Sequence, residues 1–207
     1  VLHVDDEPDL ADTVAEFLER EDERLTVDTA TNADDALETL ADGGFDCIVS
    51  DYDMPGRNGI EFLEAVRRDD PDMPFILFTG KGSEEIASEA ISAGVTDYLQ
   101  KRRGTTQYAV LANKIANAVE KYRSAERAET MDRIRRILRD VDQLLVRSRT
   151  REEIESGVCR VLSRTGSYCL AWIGTQADGS ESVRPRASAG EATSYLDEMA
   201  FARGDDT

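Results

Sequence analysis

Acidic residues follow the first apolar run of the chain, LHV at 2–4, as the triplet Asp5, Asp6 and Glu7. Another acid, Asp51, comes directly after the run FDCIVS at 45–50. Carboxylates that are forced together repel, and the pKa of at least one rises unless a cation is present. Mg²⁺ suits such a place because it prefers oxygen ligands, uses one or two carboxylates and keeps several waters. These acids therefore indicate either a solvated loop or a magnesium site.

The segments that carry these acids alternate between strand-like and helix-like patterns over the first 100 residues. Amphipathic segments separate five apolar ones, which are LHV, LTVDTA, FDCIVS, PFILFTG and TDYLQK. This alternation predicts an α/β fold, a doubly wound five-stranded parallel sheet. Functional residues in such sheets gather beyond the carboxyl ends of the strands. Since Asp5, Asp51, Thr79 and Lys101 all end or follow a strand, we expect them on one rim.

A rim of this composition suits phosphoryl transfer. An aspartate is a competent nucleophile toward phosphorus, and Asp51 is our candidate. We expect Asp6 and Asp51 to be direct ligands of Mg²⁺, with Asp5 acting through a water. Lys101 would pair with a phosphoryl oxygen while the cation neutralises the developing charge. Thr79 supplies a hydroxyl that can follow the phosphoryl group.

These residues belong to short motifs whose order and spacing agree with a known family. The motifs are DDE at 5–7, DYDMP at 51–55 followed by Gly59, TG at 79–80, and DYLQK at 97–101. Residues 1–110 closely resemble the response-regulator receiver domain of two-component signalling, which has a flavodoxin-like fold. The family usually has a proline after the lysine, whereas Arg102 follows Lys101 here. The geometry of that peptide bond is therefore left open.

The resemblance implies a phosphorelay function. Asp51 would take a phosphoryl group from a histidine kinase or a phosphotransfer protein, and the main-chain carbonyl of Asp53 would complete the Mg²⁺ ligands. Thr79 and Tyr98 would form a switch pair that changes the output. No enzymatic activity is implied beyond self-phosphotransfer and autodephosphorylation. Lys81, close to the switch threonine, is either a second cation near the site or a loop charge.

Two other classes of function remain open. An aspartyl nucleophile with Mg²⁺ also occurs in phosphohydrolases, for which Asp53 is a candidate acid or base. A scaffold that acts without phosphorylation is the third possibility. The single histidine, His3, lies inside the first strand, where we expect it to pack rather than to donate phosphate.

The charge is distributed unevenly, and this excludes some partners. Residues 1–110 contain 27 acids and 9 bases, so they account for the whole net charge of −18. Such a surface repels nucleic acid. With 21 Arg against 4 Lys, the composition is typical of a halophilic, haloarchaeal-type protein. An odd number of cysteines without metal-ligand spacing, and no apolar run of about 18 residues, predict a cytoplasmic protein that does not enter membranes.

The second half of the chain begins with a helical connector at 111–149, since residues 105–149 contain neither proline nor glycine. Leu111, Ile115, Ala118, Tyr122 and Ala125 step by four and three, and Ile134, Leu138, Val141, Leu145 and Ser148 resume that spacing in a shifted phase. This pattern predicts either a coiled coil that joins a homodimer or one amphipathic helix packed on its own domains.

Residues 150–207 read as a helix followed by the strands CLAWIG and SVRPRASAG, and they look like the beginning of a GAF sensory domain. The segment is too short for a complete domain of that type. We expect that the sequence stops inside this domain, the alternative being a small independent appendage. The missing Met at residue 1 likewise indicates a clipped N-terminus. In the family, a histidine kinase or a DNA-binding domain can follow, so the output stays open.

Overall fold

The structure is a computed structural model that describes residues 1–80, 84–164, 168–176, 182–198 and 201–202. Lys81 lies outside the described residues. The chain forms two compact units, Val1–Glu126 and Arg127–Thr207, and each is treated by itself below. In the described ranges, no helix is both long enough and apolar enough to cross a membrane.

A five-stranded parallel sheet with helices on both faces forms the first unit, as the sequence predicts. Its elements are β1 (Leu2–Val4), α1 (Pro8–Glu21), β2 (Asp28–Ala30), α2 (Ala33–Ala41), β3 (Ile48–Ser50), α3 (Gly59–Asp69), β4 (Phe75–Thr79), α4 (Glu84–Ala93), β5 (Asp97–Gln100) and the start of α5 (Thr106–Arg147). The strand order is β2-β1-β3-β4-β5. The strands β2, β3, β4 and β5 are each shorter than the runs that predicted them.

Both faces of the sheet are buried, which explains why its central strands are apolar throughout. On one face, Ile48 and Leu77 pack with Phe62 of α3. On the other face, Val49 and Ile76 pack against α1 and α5. The core therefore holds the strands from both sides and fixes where their carboxyl ends lie.

Local sequence signals determine where the helices start. Pro8 occupies the first turn of α1, where its missing N–H has no cost. Asn32 caps α2 by accepting hydrogen bonds from the next backbone amides. Asn58 and Glu61 form a reciprocal capping box at the start of α3. This cap ends the loop that follows β3, so it also limits the freedom of the residues after Asp51.

The helix α5 runs unbroken for 42 residues, which confirms the predicted continuous helix. Its first turns belong to the core of the first unit, with Leu111 and Ile115 fully buried. Farther along, the Tyr122 hydroxyl donates to Asp70 Oδ2 at 2.8 Å. The guanidinium of Arg123 pairs with both carboxylate oxygens of Asp46 at 2.8 and 2.7 Å. Contacts of α5 with the rest of the first unit thus continue well past residue 110.

The second unit contains the predicted helix and hairpin. Its elements after α5 are α6 (Arg151–Ser163), β6 (Leu170–Gln176), β7 (Ser182–Gly190), α7 (Tyr195–Glu198) and β8 (Phe201–Ala202). The three strands form an antiparallel sheet in the order β6-β7-β8. Glu155 of α6 is buried and pairs with Arg151 at 2.6 Å and with Arg186 of β7 at 2.7 Å. This charged contact joins the helix to the sheet.

Candidate functional site

Backbone hydrogen bonds continue beyond the strand ends and place the site residues. Val4 of β1 is in register with Ser50 of β3, so the next residue of each strand is an aspartate at the same level of the sheet. The Asp51 amide donates to the Val4 carbonyl at 2.8 Å. The Lys101 amide likewise donates to the Thr79 carbonyl at 2.8 Å. The rim that the sequence predicts is therefore built by the ladder of the sheet itself.

Lys101 lies between two aspartates at this rim. Its Nζ is 2.6 Å from Asp5 Oδ2 and 3.0 Å from Asp51 Oδ1. Asp5 is 1% exposed and Asp51 is 6% exposed, so both carboxylates are almost fully removed from water. Burial by itself lowers the pKa of Lys101, but its hydrogen bonds to Asp5 and the charges of both aspartates raise that pKa above its ordinary value. The ammonium therefore stays charged and balances two buried acids.

The second oxygen of each carboxylate is also held. Asp5 Oδ1 accepts the Glu7 amide at 3.1 Å, and Asp51 Oδ2 accepts the Asp53 amide at 2.9 Å. Both bonds come from residues two positions later in the chain, so the loop after each strand folds back over its own aspartate. These bonds fix the orientation of the two carboxylates at the rim.

Gly59 closes the site on the side of α3. A Cβ atom on this residue would contact the Asp51 carbonyl oxygen and would lie 2.9 Å from Leu77 Cδ1. The glycine is thus required by the close approach of two backbones. This explains in physical terms why the DYDMP motif is followed by a glycine at this position.

The remaining predicted site residues occupy different environments. Asp6 is exposed beside buried Asp5. Thr79 is fully buried at the end of β4. The Tyr98 hydroxyl is also buried and has no hydrogen-bond partner among the residues that the structure describes. The Lys101–Arg102 peptide is trans, which settles the question that the missing proline raised.

His3 lies under this rim, and its electrostatic link to the site was not foreseen from the sequence. It is fully buried, as expected, with Nδ1 3.3 Å from the Ala11 carbonyl oxygen and Nε2 without a partner in the described residues. Burial lowers the pKa of His3 to about 4, Asp5 and Asp51 oppose this shift, and Lys101 adds to it. The sequence signal was weak because one histidine inside an apolar strand is usually a packing residue.

The acids at the rim can be tested for their fit to Mg²⁺. In the described part of the chain, no three His, Cys, Asp or Glu side chains are grouped so that they could hold a metal ion. What the structure brings together is the buried pair Asp5 and Asp51, with Asp6 at the surface beside them. Mg²⁺ is commonly bound through one or two carboxylates and waters. The donor set therefore fits a magnesium ion that keeps part of its hydration.

Comparison with known proteins places the chain in a family. The family model described as "Response regulator receiver domain" matches residues 1–112 of this chain. The nitrogen assimilation regulatory protein NtrX of Azorhizobium caulinodans is 31% identical over 189 residues, which cover 87% of this chain and 38% of that protein. The chain thus spans well under half of this relative's length.

Two solved structures agree with this match. The receiver domain of NtrX from Brucella abortus is 30% identical, with a TM-score of 0.51, over 57% of this chain and 97% of that one. The beryllofluoride-activated NtrC4 receiver domain dimer is also 30% identical, with a TM-score of 0.52, over 58% of this chain and 96% of that one. Receiver domains are generally non-catalytic phosphoacceptors that interact with histidine kinases or phosphotransfer proteins. This chain belongs to the response regulator receiver domain family and is a phosphoacceptor module of two-component signalling.

Proposed function

We propose that Asp51 is the phosphoacceptor of this module and that a histidine kinase or a phosphotransfer protein supplies the phosphoryl group. The observation that carries the proposal is the position of Lys101, whose ammonium contacts both Asp5 and Asp51 at the carboxyl rim of the sheet. Asp51 keeps a small exposed surface there, and its side chain is oriented by the Asp53 amide. A nucleophile with fixed direction beside a permanent cation is suited to attack phosphorus.

The same proposal assigns Mg²⁺ to this rim, held by the carboxylates of Asp5, Asp6 and Asp51 and by the main-chain carbonyl of Asp53. When bound, the ion neutralises charge on the phosphoryl oxygens. Lys101 contributes a second positive charge from the protein itself. Because Lys101 contacts Asp51 before transfer, it is placed to pair with a phosphoryl oxygen on that residue afterwards.

Thr79 and Tyr98 are proposed as the switch pair. A phosphoryl group can change the conformation only through contacts that differ between two states, and the Thr79 hydroxyl would supply one of them. The buried hydroxyl of Tyr98 would supply a second contact that differs between the two states, since it has no hydrogen-bond partner in the described residues. An unsatisfied buried hydroxyl costs roughly 1–3 kcal/mol, so a state that provides a partner for it is favoured.

Phosphorylation tests the assignment of Asp51. We expect acetyl phosphate with Mg²⁺ to add one phosphoryl group to the intact chain, and Asp51→Asn to lose it completely because the amide is not a nucleophile. The incubation is carried out in high salt, which suits the predicted halophilic composition. Intact mass spectrometry then measures the adduct. Asp53→Asn is the matched control and should keep the adduct, since only its main chain is proposed to act.

Three results would contradict the assignment. These are an adduct that persists in Asp51→Asn, an adduct that forms equally well without Mg²⁺, and a folded wild-type chain that neither gains mass nor releases phosphate. Steady release of phosphate from small phosphate esters, lost in Asp53→Asn, would instead identify a phosphohydrolase.

We also propose that the connector, residues 111–149, joins two copies of the chain. In the second unit, Met131, Ile134, Leu138 and Leu145 are each 44–58% exposed, and their spacing of three, four and seven places them on one stripe of α5. Val141 continues the stripe. Such a repeat matches the inner positions of a two-stranded coiled coil, whose partner is an identical helix. A solved receiver domain in the same family is a dimer.

Substitution in this stripe tests the dimer. We expect the wild-type chain to sediment as a dimer and Leu138→Glu to weaken association at least tenfold, because like charges would meet in the helix interface. Val146→Glu is the matched control, since Val146 is 87% exposed but lies off the stripe. Analytical ultracentrifugation over a range of concentrations measures both. Equal effects of the two substitutions, or a wild-type monomer, would contradict the coiled coil.

We propose the following domain organisation. Residues 1–110 are assigned as the receiver domain, and residues 150–207 as the beginning of a GAF-like domain in a cytoplasmic protein. The order of a helix and an antiparallel hairpin, α6 followed by β6 and β7, supports the GAF-like assignment.

A further inference from the structure

An arginine-lined cavity lies within the second unit, between the C-terminal part of α5 and the helix α6. Its volume is about 390 Å³. Arg147 of α5 and Arg160 and Arg164 of α6 line it, together with Asp140 and Gln143. We name this feature the arginine groove. Its arginines are exposed, so the feature is an open groove, and its volume falls in the range of roughly 300–1,000 Å³ that small-ligand sites have.

Several arginines of this protein are paired with carboxylates, and the three arginines of the groove are not among them. Arg24, Arg57, Arg123 and Arg151 each form an ion pair with a carboxylate within 4 Å. No such pair involves the three groove guanidiniums in the described ranges of the chain. Three positive charges therefore share one concave surface with the single negative charge of Asp140, so the groove keeps a net positive charge.

Close packing of the two helices holds the groove in shape. Gly157 of α6 approaches Leu144 of α5 so closely that a Cβ atom on the glycine would overlap the leucine side chain. The start of α6 is fixed by the capping box of Thr150 and Glu153, only a few residues after α5 ends. The arginines therefore project from two helices whose separation is set by a direct contact.

We propose that the arginine groove binds a small anion with two or more linked phosphate groups. Guanidinium groups bind phosphate oxygens through paired hydrogen bonds, and three of them can serve a diphosphate or triphosphate chain better than a single phosphate. Asp140 and Gln143 add hydrogen-bond acceptors that suit hydroxyl or amino groups attached to that chain. Leu144 and Val161 give the cavity an apolar part that can contact a ring.

The groove is independent of the proposed dimer. With 3.6 residues per turn, Asp140 and Arg147 fall on the side of α5 roughly opposite Leu138 and Leu145. Association through the apolar stripe would leave the groove open. Ligand binding and dimerisation can therefore be measured separately on the same chain.

The test uses the full chain and isothermal titration calorimetry at low and high salt. The probes are inorganic phosphate, pyrophosphate and a nucleoside triphosphate, without metal. We expect pyrophosphate and the triphosphate to bind more tightly than phosphate. The triple substitution of Arg147, Arg160 and Arg164 to Gln should weaken that binding at least tenfold. The triple substitution of Arg127, Arg136 and Arg139 to Gln is the matched control, because it removes the same charge outside the groove and should change affinity less than twofold.

The receiver rim, which can also attract phosphate, is the same in both triple variants, so only the difference between them reports on the groove. The triphosphate arm shows whether the attached nucleoside adds affinity beyond that of pyrophosphate. Equal weakening in both variants would mean diffuse charge attraction and would overturn the proposal. So would the absence of pyrophosphate and triphosphate binding by the folded chain at low salt. Circular dichroism confirms that each variant keeps its helices.

Discussion

Lys101→Met is expected to destabilise the first unit by about 3 kcal/mol at pH 7, because removing one partner of a buried ion pair leaves an uncompensated charge. Here two carboxylates would lose their shared cation. Asp5 and Asp51 are both buried, and the Lys101 side chain is itself only 17% exposed. Methionine keeps most of the side-chain length, so the loss is electrostatic rather than a loss of packing. Phosphorylation of Asp51 should fall as well.

Unfolding of the first unit can be followed through Cys47. This thiol is fully buried in the core, and burial raises its pKa to about 12, so it reacts only when that unit opens. Chains are exposed to a dipyridyl disulfide at increasing urea concentrations, and labelled peptides are identified by mass spectrometry. Cys159 and Cys169 lie in the second unit and are read separately in the same samples.

Two further variants interpret the result. Lys114→Met breaks a less buried pair, in which Lys114 Nζ and Asp97 Oδ2 are also 2.6 Å apart but the side chains are 31% and 37% exposed, and should cost under about 1 kcal/mol. Adding Asp51→Asn to Lys101→Met removes one of the repelling charges and should restore part of the stability. If Lys101→Met costs no more than Lys114→Met, the buried ammonium is not what balances the rim.

His3 is expected to make the first unit sensitive to acid below pH 6.5. The ordinary pKa of a histidine is 6.5, and the pKa of His3 in the folded protein is about 4. Between these values the unfolded chain binds a proton that the native chain does not, so stability falls as the pH falls. The 2.5-unit difference between those values corresponds to about 3 kcal/mol lost by pH 4. Above pH 6.5 this contribution is constant.

The substitution His3→Leu isolates this effect. Leucine fills a similar volume but cannot be protonated, so its variant should lose about 3 kcal/mol less than the wild type between pH 6.5 and 4. Labelling of Cys47 measures both proteins, and the carboxylates of the rim are common to them. Because His3 is the single histidine, its ring resonances also give its pKa directly by NMR. Parallel pH profiles of the two proteins, or a measured pKa near 6.5, would contradict the prediction.

Some features of this protein followed from the sequence because they depend on neighbouring residues. The alternation of apolar and amphipathic segments predicted the parallel sheet, and the strand ends predicted the shared rim. The absence of glycine and proline from residues 105–149 predicted the unbroken helix α5. In each case the determining signal is local, since helix breaks and strand ends are set by the residues at that point of the chain.

The partners within the site were decided only by the tertiary structure. Lys101 is 96 residues from Asp5, and no local pattern tells which acids it contacts. In a sheet covered on both faces the strands lack polar alternation, so the sequence could not tell that Asp5 points inward while Asp6 is exposed. The lowered pKa of His3 and the arginine groove have the same origin. Burial in the packed core lowers the pKa of His3, packing of α5 against α6 forms the groove, and only the folded chain determines that packing.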